Sequence, residues 1–183
     1  MSRPTIQWPI TTIDFEATSL ASNSHPIEIG VASWSGPGTT ATVWSRLIRP
    51  TTGWDARNSW NPASEAIHGI SRRSLDHAHD PVEVMTVLNE RCPMGVLAFC
   101  DGGRYDGHWL AELAAAAGVE PMLHLGSWHR LARSFDEEGA SRLSTHRAPH
   151  EIAHRAGPDA MDHIRALAWA LGEPEPSFED LDA

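Results

Sequence analysis

The chain has 183 residues, 41% of them hydrophobic, which suits one domain with a substantial core and excludes a disordered chain. Its formal net charge of -10 argues against a protein that coats long duplex nucleic acid by charge alone. No apolar run approaches the ~20 residues of a membrane span, and no basic-then-apolar signal peptide opens the chain, so no membrane association is expected.

Strand signals come first. "ITTIDFEAT" (10–18), "IEIGVASWS" (27–35) and "TATVWSRLIRP" (40–50) are separated by "SNSHP" and "GPGT", both rich in turn formers. The second and third runs predict a hairpin around Gly36, Pro37 and Gly38. An irregular stretch with several tryptophans, 51–60, leads into a short helix, "NPASEAIHGI" (61–70), with Asn61 as cap and Pro62 at its first position. "DPVEVMTVLNERC" (80–92) is a second helix opened by Asp-Pro. "MGVLAFC" (94–100) reads as a buried strand, and "DGHWLAELAAAAG" (106–118) as a helix closed by Gly118. "MLHLGSW" (122–128) is a fifth strand with a helical "WHRLARSF" after it. The last helix is "PDAMDHIRALAWALG" (158–172), ending at Gly172. The segment 173–183, with five acids and no base, reads as an acidic tail beyond a domain of residues 1–172. Three strands in succession, then strands alternating with helices, predict an α/β sheet with helices packed on it.

All 14 basic residues other than histidine are Arg, a side chain that grips phosphate in a bidentate fork. Cys92 and Cys100 have no metal-site spacing and suit a reduced, cytoplasmic setting, with a disulfide between them as the alternative.

"DFE" places two carboxylates inside an otherwise apolar strand. Residues two apart share a face, so Asp14 and Glu16 project together, about 7 Å apart along the backbone. Two charged acids in a low-dielectric site need a cation, and hard oxygen donors suit Mg²⁺ or Mn²⁺. The plainer reading places Glu16 past the strand, in solvent. Further ligands must come from elsewhere. Asp106, in "RYDGHWL", is one candidate and also a natural helix N-cap. Asp101 competes for the same role. Asp159, in the first turn of the last helix, either serves as a ligand or complements the helix dipole. His154 lies five residues earlier in "HRAGPD".

In order and spacing, "DFEATSL", "YDGHWL" and "HRAGPDA" together resemble the three motifs of DEDDh 3′–5′ exonucleases, the DnaQ-like proofreading branch of the DEDD superfamily. The resemblance spans residues 10–170. It implies a ribonuclease H-like α/β fold with a mixed five-stranded sheet flanked by helices. It implies metal ligands Asp14, Glu16, Asp106 and Asp159, two divalent cations, and His154 as general base. Matching Tyr105-Asp106 and Trp109-Leu110 to the family's aromatic-Asp-x-x-aromatic-Leu pattern favours Asp106 over Asp101. "AIHGIS" resembles the His-Gly-Ile block between motifs, which makes His68 a candidate substrate contact beside Thr18 and Leu20. Two positions depart from the pattern: Ser19 stands where many members have Gly, and Asp101-Gly102 replaces the usual His-Asn pair.

The activity so implied is hydrolysis at single-stranded 3′ ends of DNA or RNA, releasing nucleoside 5′-monophosphates. Two cations would clamp the scissile phosphate, and a histidine of ordinary pKa near 6.5 would take the proton of the attacking water. Arg130, Arg133, Arg142, Arg147 and Arg155, interleaved with acids such as Glu151, form either a phosphate-guiding rim or an ordinary mixed-charge surface. Leu20 and Trp60 are candidates to wedge or stack against terminal bases. The alternative from another class is a catalytically silent nucleic-acid-binding or regulatory module on the same fold. A ribonuclease H-type endonuclease shares the metal logic but lacks the His-x-x-x-x-Asp block, and a zinc site on His77 and His79 lacks a supporting ligand pattern. Oligomeric state is left open, a homodimer being one option.

Overall fold

Strict alternation along the first two strands sets the layers. The computed structural model describes residues 6–145 and 154–181. In β1 (Ile10–Ala17) the odd positions Ile13, Phe15 and Ala17 enter one apolar core, while the even position Ile10 enters another on the opposite face. β2 (Pro26–Trp34) repeats this, with Ile29 and Val31 on one side and Ala32 and Trp34 on the other. β3 (Ala41–Leu47) completes an antiparallel meander through the expected hairpin. After two short helices, α1 (Thr52–Asp55) and α2 (Pro62–His68), and a 3-10 turn at Arg72–His77, the chain enters α3 (Pro81–Arg91). β4 (Leu97–Cys100) then joins β1 in parallel. α4 (Arg104–Ala117) follows, and β5 (His124–Ser127) extends the sheet beside β4. The remaining helices are α5 (Trp128–Ala132), α6 (Glu137–Thr145) and α7 (Ala156–Leu171).

Four helix signals act where the sequence places them, whereas α4 begins two residues before Asp106, with Gly103 and not Asp106 as its N-cap, and α7 begins two residues before Pro158, because backbone pairing extends each first turn. Asn61 and Asp80 cap α2 and α3 through their side chains, accepting from the N–H groups of Ala63 and Val82. Gly118 and Gly172 close α4 and α7 in the left-handed conformation. Cys92 and Cys100 are both buried and free, so they form no disulfide with each other.

With β6 (Phe178–Asp180), the sheet among the described residues has six strands in the order β5-β4-β1-β2-β3-β6, where five were expected. The sixth comes from the segment read as an acidic tail and pairs in parallel with Ala41–Val43 of β3. The open edge of β3 accepts those backbone groups, and Phe178 packs on the Trp34 cluster while its acidic neighbours stay exposed. α6 was also not expected. Its buried positions Gly139 and Leu143 are too few to mark a period in sequence, and packing against α7 supports it.

α3 and α4 cover one face of the sheet and α7 the other, with Val84, Leu88 and Leu113 on the first side and Ile164 and Leu167 on the second. Fully buried side chains of this kind contribute roughly 1.5–3 kcal/mol each. The base of α7 lies directly on β2. A Cβ on Gly30 would fall 2.1 Å from the carbonyl carbon and oxygen of Ala156, and one on Gly157 would fall 3.0 Å from Ser45 Oγ. Thr12 donates its hydroxyl hydrogen to the Ala160 carbonyl at 2.7 Å.

Gly30→Ala is therefore expected to destabilise by about 2 kcal/mol or more, a fall of roughly 4–8 °C in Tm for a chain of this size. Gly107→Ala, within α4 and with open space around its Cβ position, should instead leave Tm unchanged or raise it by removing a helical glycine. Thermal melts of the two variants beside wild type make the comparison. Equal melts would show that α7 does not need the bare backbone of β2.

Candidate active site

Three elements, β1, α4 and α7, carry the acids. Thr12, Asp14 and Glu16 share the face of β1 that looks toward α7, and the first turn of α7 supplies Asp159. Carboxylate oxygens of Asp14, Glu16 and Asp159 all lie within 4.8 Å of one another, and all three residues are half-buried. Glu16 is within β1, opposite Glu28 of β2, and not beyond the strand in solvent. Asp106, in the first turn of α4, is buried at 2% exposure, and its Oδ2 has no hydrogen-bond partner among the described residues.

The electrostatics show acids without a counter-charge. Asp14 is held well above the usual carboxylate range by its burial first, then by the charges of Glu16, Asp106, Asp159 and Asp101. Glu16 is pushed from 4.5 up to about 8 by burial, then by Asp159 and Glu28, with Arg155 pulling the other way. Asp106 rises to about 6, chiefly through burial, although a hydrogen bond from the Cys100 thiol lowers it. Four carboxylates with hard oxygen donors, three of them converging and the fourth with one buried oxygen unpaired among the described residues, fit a divalent cation. The fit rests on that donor set, which soft or nitrogen-seeking metals would not select.

Asp101 takes a different place from Asp106. It is exposed and 3.5 Å from His163 Nε2, whose other ring nitrogen donates to the Asp159 carbonyl at 2.9 Å. Burial pulls the His163 pKa down, but Asp101 outweighs it and raises the group above 6.5. A ring whose charged form is favoured thus stands behind the acids, four residues after Asp159 on α7. Its signal in sequence was only that i, i+4 spacing.

His154 is exposed at the lead-in to α7, its Nδ1 3.2 Å from Asp159 Oδ2. Its backbone N–H donates to the Ile67 carbonyl at 3.1 Å, which ties it to the end of α2. That contact gives the His-Gly-Ile block a local purpose. Gly69 turns left-handed after α2, and the Ile70 N–H donates to His68 Nδ1 at 3.0 Å. His68 Nε2 therefore carries the ring hydrogen. The ring is buried, edge-on to Trp60 at 6.3 Å, with its pKa lowered mainly by burial.

Of the three residues implied as substrate contacts, only Leu20 is displayed, at 66% exposure. Thr18 is buried, its hydroxyl 2.9 Å from that of Ser59, its N–H donating to the His25 carbonyl and its carbonyl accepting from the Asn61 N–H. Neither Thr18 nor His68 lines the open groove of about 400 Å³ formed by Ser19, Leu20, Asn23, Ser59, Trp60 and Asn61; Thr18 bonds to Ser59 and Asn61 of that lining, and His68 packs on Trp60. Among the described residues, the arginines named in sequence have separate settings. Arg142 pairs with Glu138 and lies over the Trp169 ring, Arg155 pairs with Glu28, and Arg130 and Arg133 are exposed on or just after α5. Arg147 and Glu151 lie outside the described residues.

No protein-family model matches the sequence, and no curated protein matches it. Solved structures do match in fold, and the fold is ribonuclease H-like. E. coli exonuclease I in complex with a dA16 oligonucleotide aligns at a TM-score of 0.63 and 10% identity, covering 88% of this chain and 41% of that one. A 3′-exonuclease, in a structure of 3′-end specific recognition of a histone mRNA stem-loop, aligns at 0.63 and 15%, covering 89% of this chain and 63% of that one. Full-length 3′-exonuclease aligns at 0.62 and 15%, covering 91% and 61%. The chain thus spans about two-fifths of the first protein and less than two thirds of the second. Exonucleases share its fold, as the three sequence motifs implied.

Between 4.5 and about 8 the folded chain holds a proton on Glu16 that the unfolded chain has released, so metal-free stability falls as pH rises through that window. Asp14 and His163, both raised, act in the same direction. His25, lowered to about 4 by burial, acts oppositely below about 6.5, where its folded form refuses a proton. In chelator, Tm should therefore fall from about pH 6.5 to 8. Glu16→Gln should flatten the fall, and Mn²⁺ should raise Tm more at the higher pH. Scanning fluorimetry reads all three; a flat wild-type profile would rule out uncompensated acids at this site.

Proposed function

We propose that the chain is a 3′–5′ exonuclease that hydrolyses phosphodiester bonds at single-stranded 3′ ends of DNA or RNA, releases nucleoside 5′-monophosphates and uses two divalent cations, Mg²⁺ or Mn²⁺. The observation that carries this reading is the convergence of Asp14, Glu16 and Asp159, with the buried Asp106 keeping its Oδ2 unpaired among the described residues and His154 bonded to Asp159. Support also comes from the shared fold with E. coli exonuclease I, solved with a single-stranded oligonucleotide, and with 3′-exonuclease. A reducing, cytoplasmic setting belongs to the same reading, in keeping with two free cysteines. Among the described residues no helix is long and apolar enough to cross a membrane.

Asp14, Glu16, Asp106 and Asp159 would hold the cations, which supply the charge that offsets the phosphodiester and acidify the attacking water. His154 Nδ1 faces a carboxylate oxygen and so carries its ring hydrogen, which leaves Nε2 to take the proton of the water. The exposed loop position lets the ring approach substrate without being a ligand. Leu20 presents an apolar edge to the terminal base and Trp60 a ring at the groove, contacts that tolerate any sequence. Thr18 and His68 support those surfaces from beneath.

With 5′-labelled single-stranded DNA and RNA in Mg²⁺ or Mn²⁺, a ladder shortening from the 3′ end is expected, and chelator should abolish it. Asp14→Asn should remove activity, and His154→Ala should slow it by about 10²–10⁴-fold. Internal cuts would indicate an endonuclease. Binding without cleavage of either strand would favour the silent module.

A further inference from the structure

Outside the acid cluster, the most heavily bonded charge in the described residues is Glu28 of β2. It lies directly across from Glu16 in the β1–β2 register and is 2% exposed. Its Oε2 accepts from Arg155 Nε at 2.9 Å and from the Ala156 N–H at 3.0 Å, and its Oε1 accepts from Arg155 Nη2 at 2.5 Å. Both oxygens are thus engaged within the protein, which separates Glu28 from the carboxylates that converge on one another.

The partners of Glu28 share one location. Arg155 is the N-cap residue of α7, and its own side chain makes no capping bond. The carboxylate of the neighbouring strand supplies that cap instead, where the helix dipole favours negative charge. Two residues along the same face, Gly30 leaves room for the Ala156 carbonyl, so the strand both binds and seats the end of α7. Residues flanking this seat are His154 on one side and Asp159 one turn in. Arg155 also offsets Glu28, which would otherwise be an uncompensated charge next to Glu16. Buried ion pairs are poor sources of stability, and in some proteins they serve instead to specify one arrangement over its neighbours. A shift of α7 by a fraction of a turn would carry Asp159 and His154 away from β1.

We propose that Glu28 is a positioning residue of the candidate site: through Arg155 and the Ala156 N–H it fixes the start of α7, and thereby holds Asp159 and His154 in register with Asp14 and Glu16. The inference rests on the exonuclease reading above and adds to it a residue that touches neither metal nor substrate.

The test uses the full chain, with Mn²⁺ as the bound ion and a 5′-labelled single-stranded oligonucleotide as substrate. Glu28→Gln preserves volume but puts an amide hydrogen against Arg155 or Ala156. It should weaken Mn²⁺ binding or lower kcat by about 10–100-fold, as loss of an outer-shell partner does elsewhere, while KM for the oligonucleotide stays within about threefold. Arg155→Met, at a half-exposed position, should act in the same direction if Glu28→Gln fails to fold. Ile164→Val and Leu167→Ala, in the core face of α7, serve as controls matched for loss of Tm and should keep wild-type Mn²⁺ binding and kcat below their melts. Variants of Glu28 and Arg155 that behave like these controls would overturn the proposal. Should wild type bind Mn²⁺ but cleave nothing, the exonuclease reading fails while Mn²⁺ titration of the same variants still decides the role of Glu28. No Mn²⁺ binding by wild type would overturn both.

Discussion

Mutual repulsion among carboxylates is the constraint around which this molecule is arranged. Asp14, Glu16 and Asp159 are gathered within 4.8 Å in a half-buried site, with Asp106 close enough for its charge to act on Asp14. Bringing them there costs hydration and Coulomb energy that nothing among the four returns. The fold must therefore hold them by other means. It does so with a sheet that positions two of them on one strand, and with two helices whose first turns are pinned to that sheet from opposite faces. A cluster held at that cost fits a divalent cation.

The two basic groups nearby, Arg155 and His163, are engaged by other partners. Arg155 is turned away into the Glu28 pair, and His163 is held behind Asp101 and the Asp159 carbonyl. Each sits close enough to moderate the field, since Arg155 lowers Glu16 and His163 lowers Asp106. Neither occupies the space between the acids. A site neutralised by its own arginine would have lower carboxylate pKa values and less need of metal. The division between the two faces of the sheet has the same sense. The face covered by α3 and α4 is a continuous apolar core, whereas the face under α7 gives way from Ile10 and Ala32 to polar residues at the end where the acids lie.

The motifs were readable because their chemistry is local. Two acids separated by one residue in an apolar strand, an acid in the first turn of each of two helices, and a histidine five residues before the last acid are statements about neighbours in the chain. Caps at Asn61 and Asp80 and left-handed closures at Gly118 and Gly172 were readable for the same reason. α6 and β6 were not. α6 is largely polar and owes its place to packing on α7, and β6 is three residues long with two acids. A short edge strand is stabilised by the groups it pairs with, in this case the open edge of β3, and carries little signal of its own.

By itself the sequence determined an α/β protein with a carboxylate-rich site, and it named the strand and the two helix starts that hold the acids. Only the tertiary structure gave the two neighbouring acids their different surroundings: Asp106 buried with one oxygen unpaired among the described residues, Asp101 exposed and joined to His163. It likewise turned Thr18 and His68 inward, leaving Leu20 to face the groove. It also revealed that Glu28, a lone acid in "PIEIGVASW", meets Arg155 across 127 positions of chain. Periodicity predicts which face a residue occupies, because that depends on its own backbone. Which partner waits on that face depends on how layers far apart in sequence come to rest, and that is decided by packing.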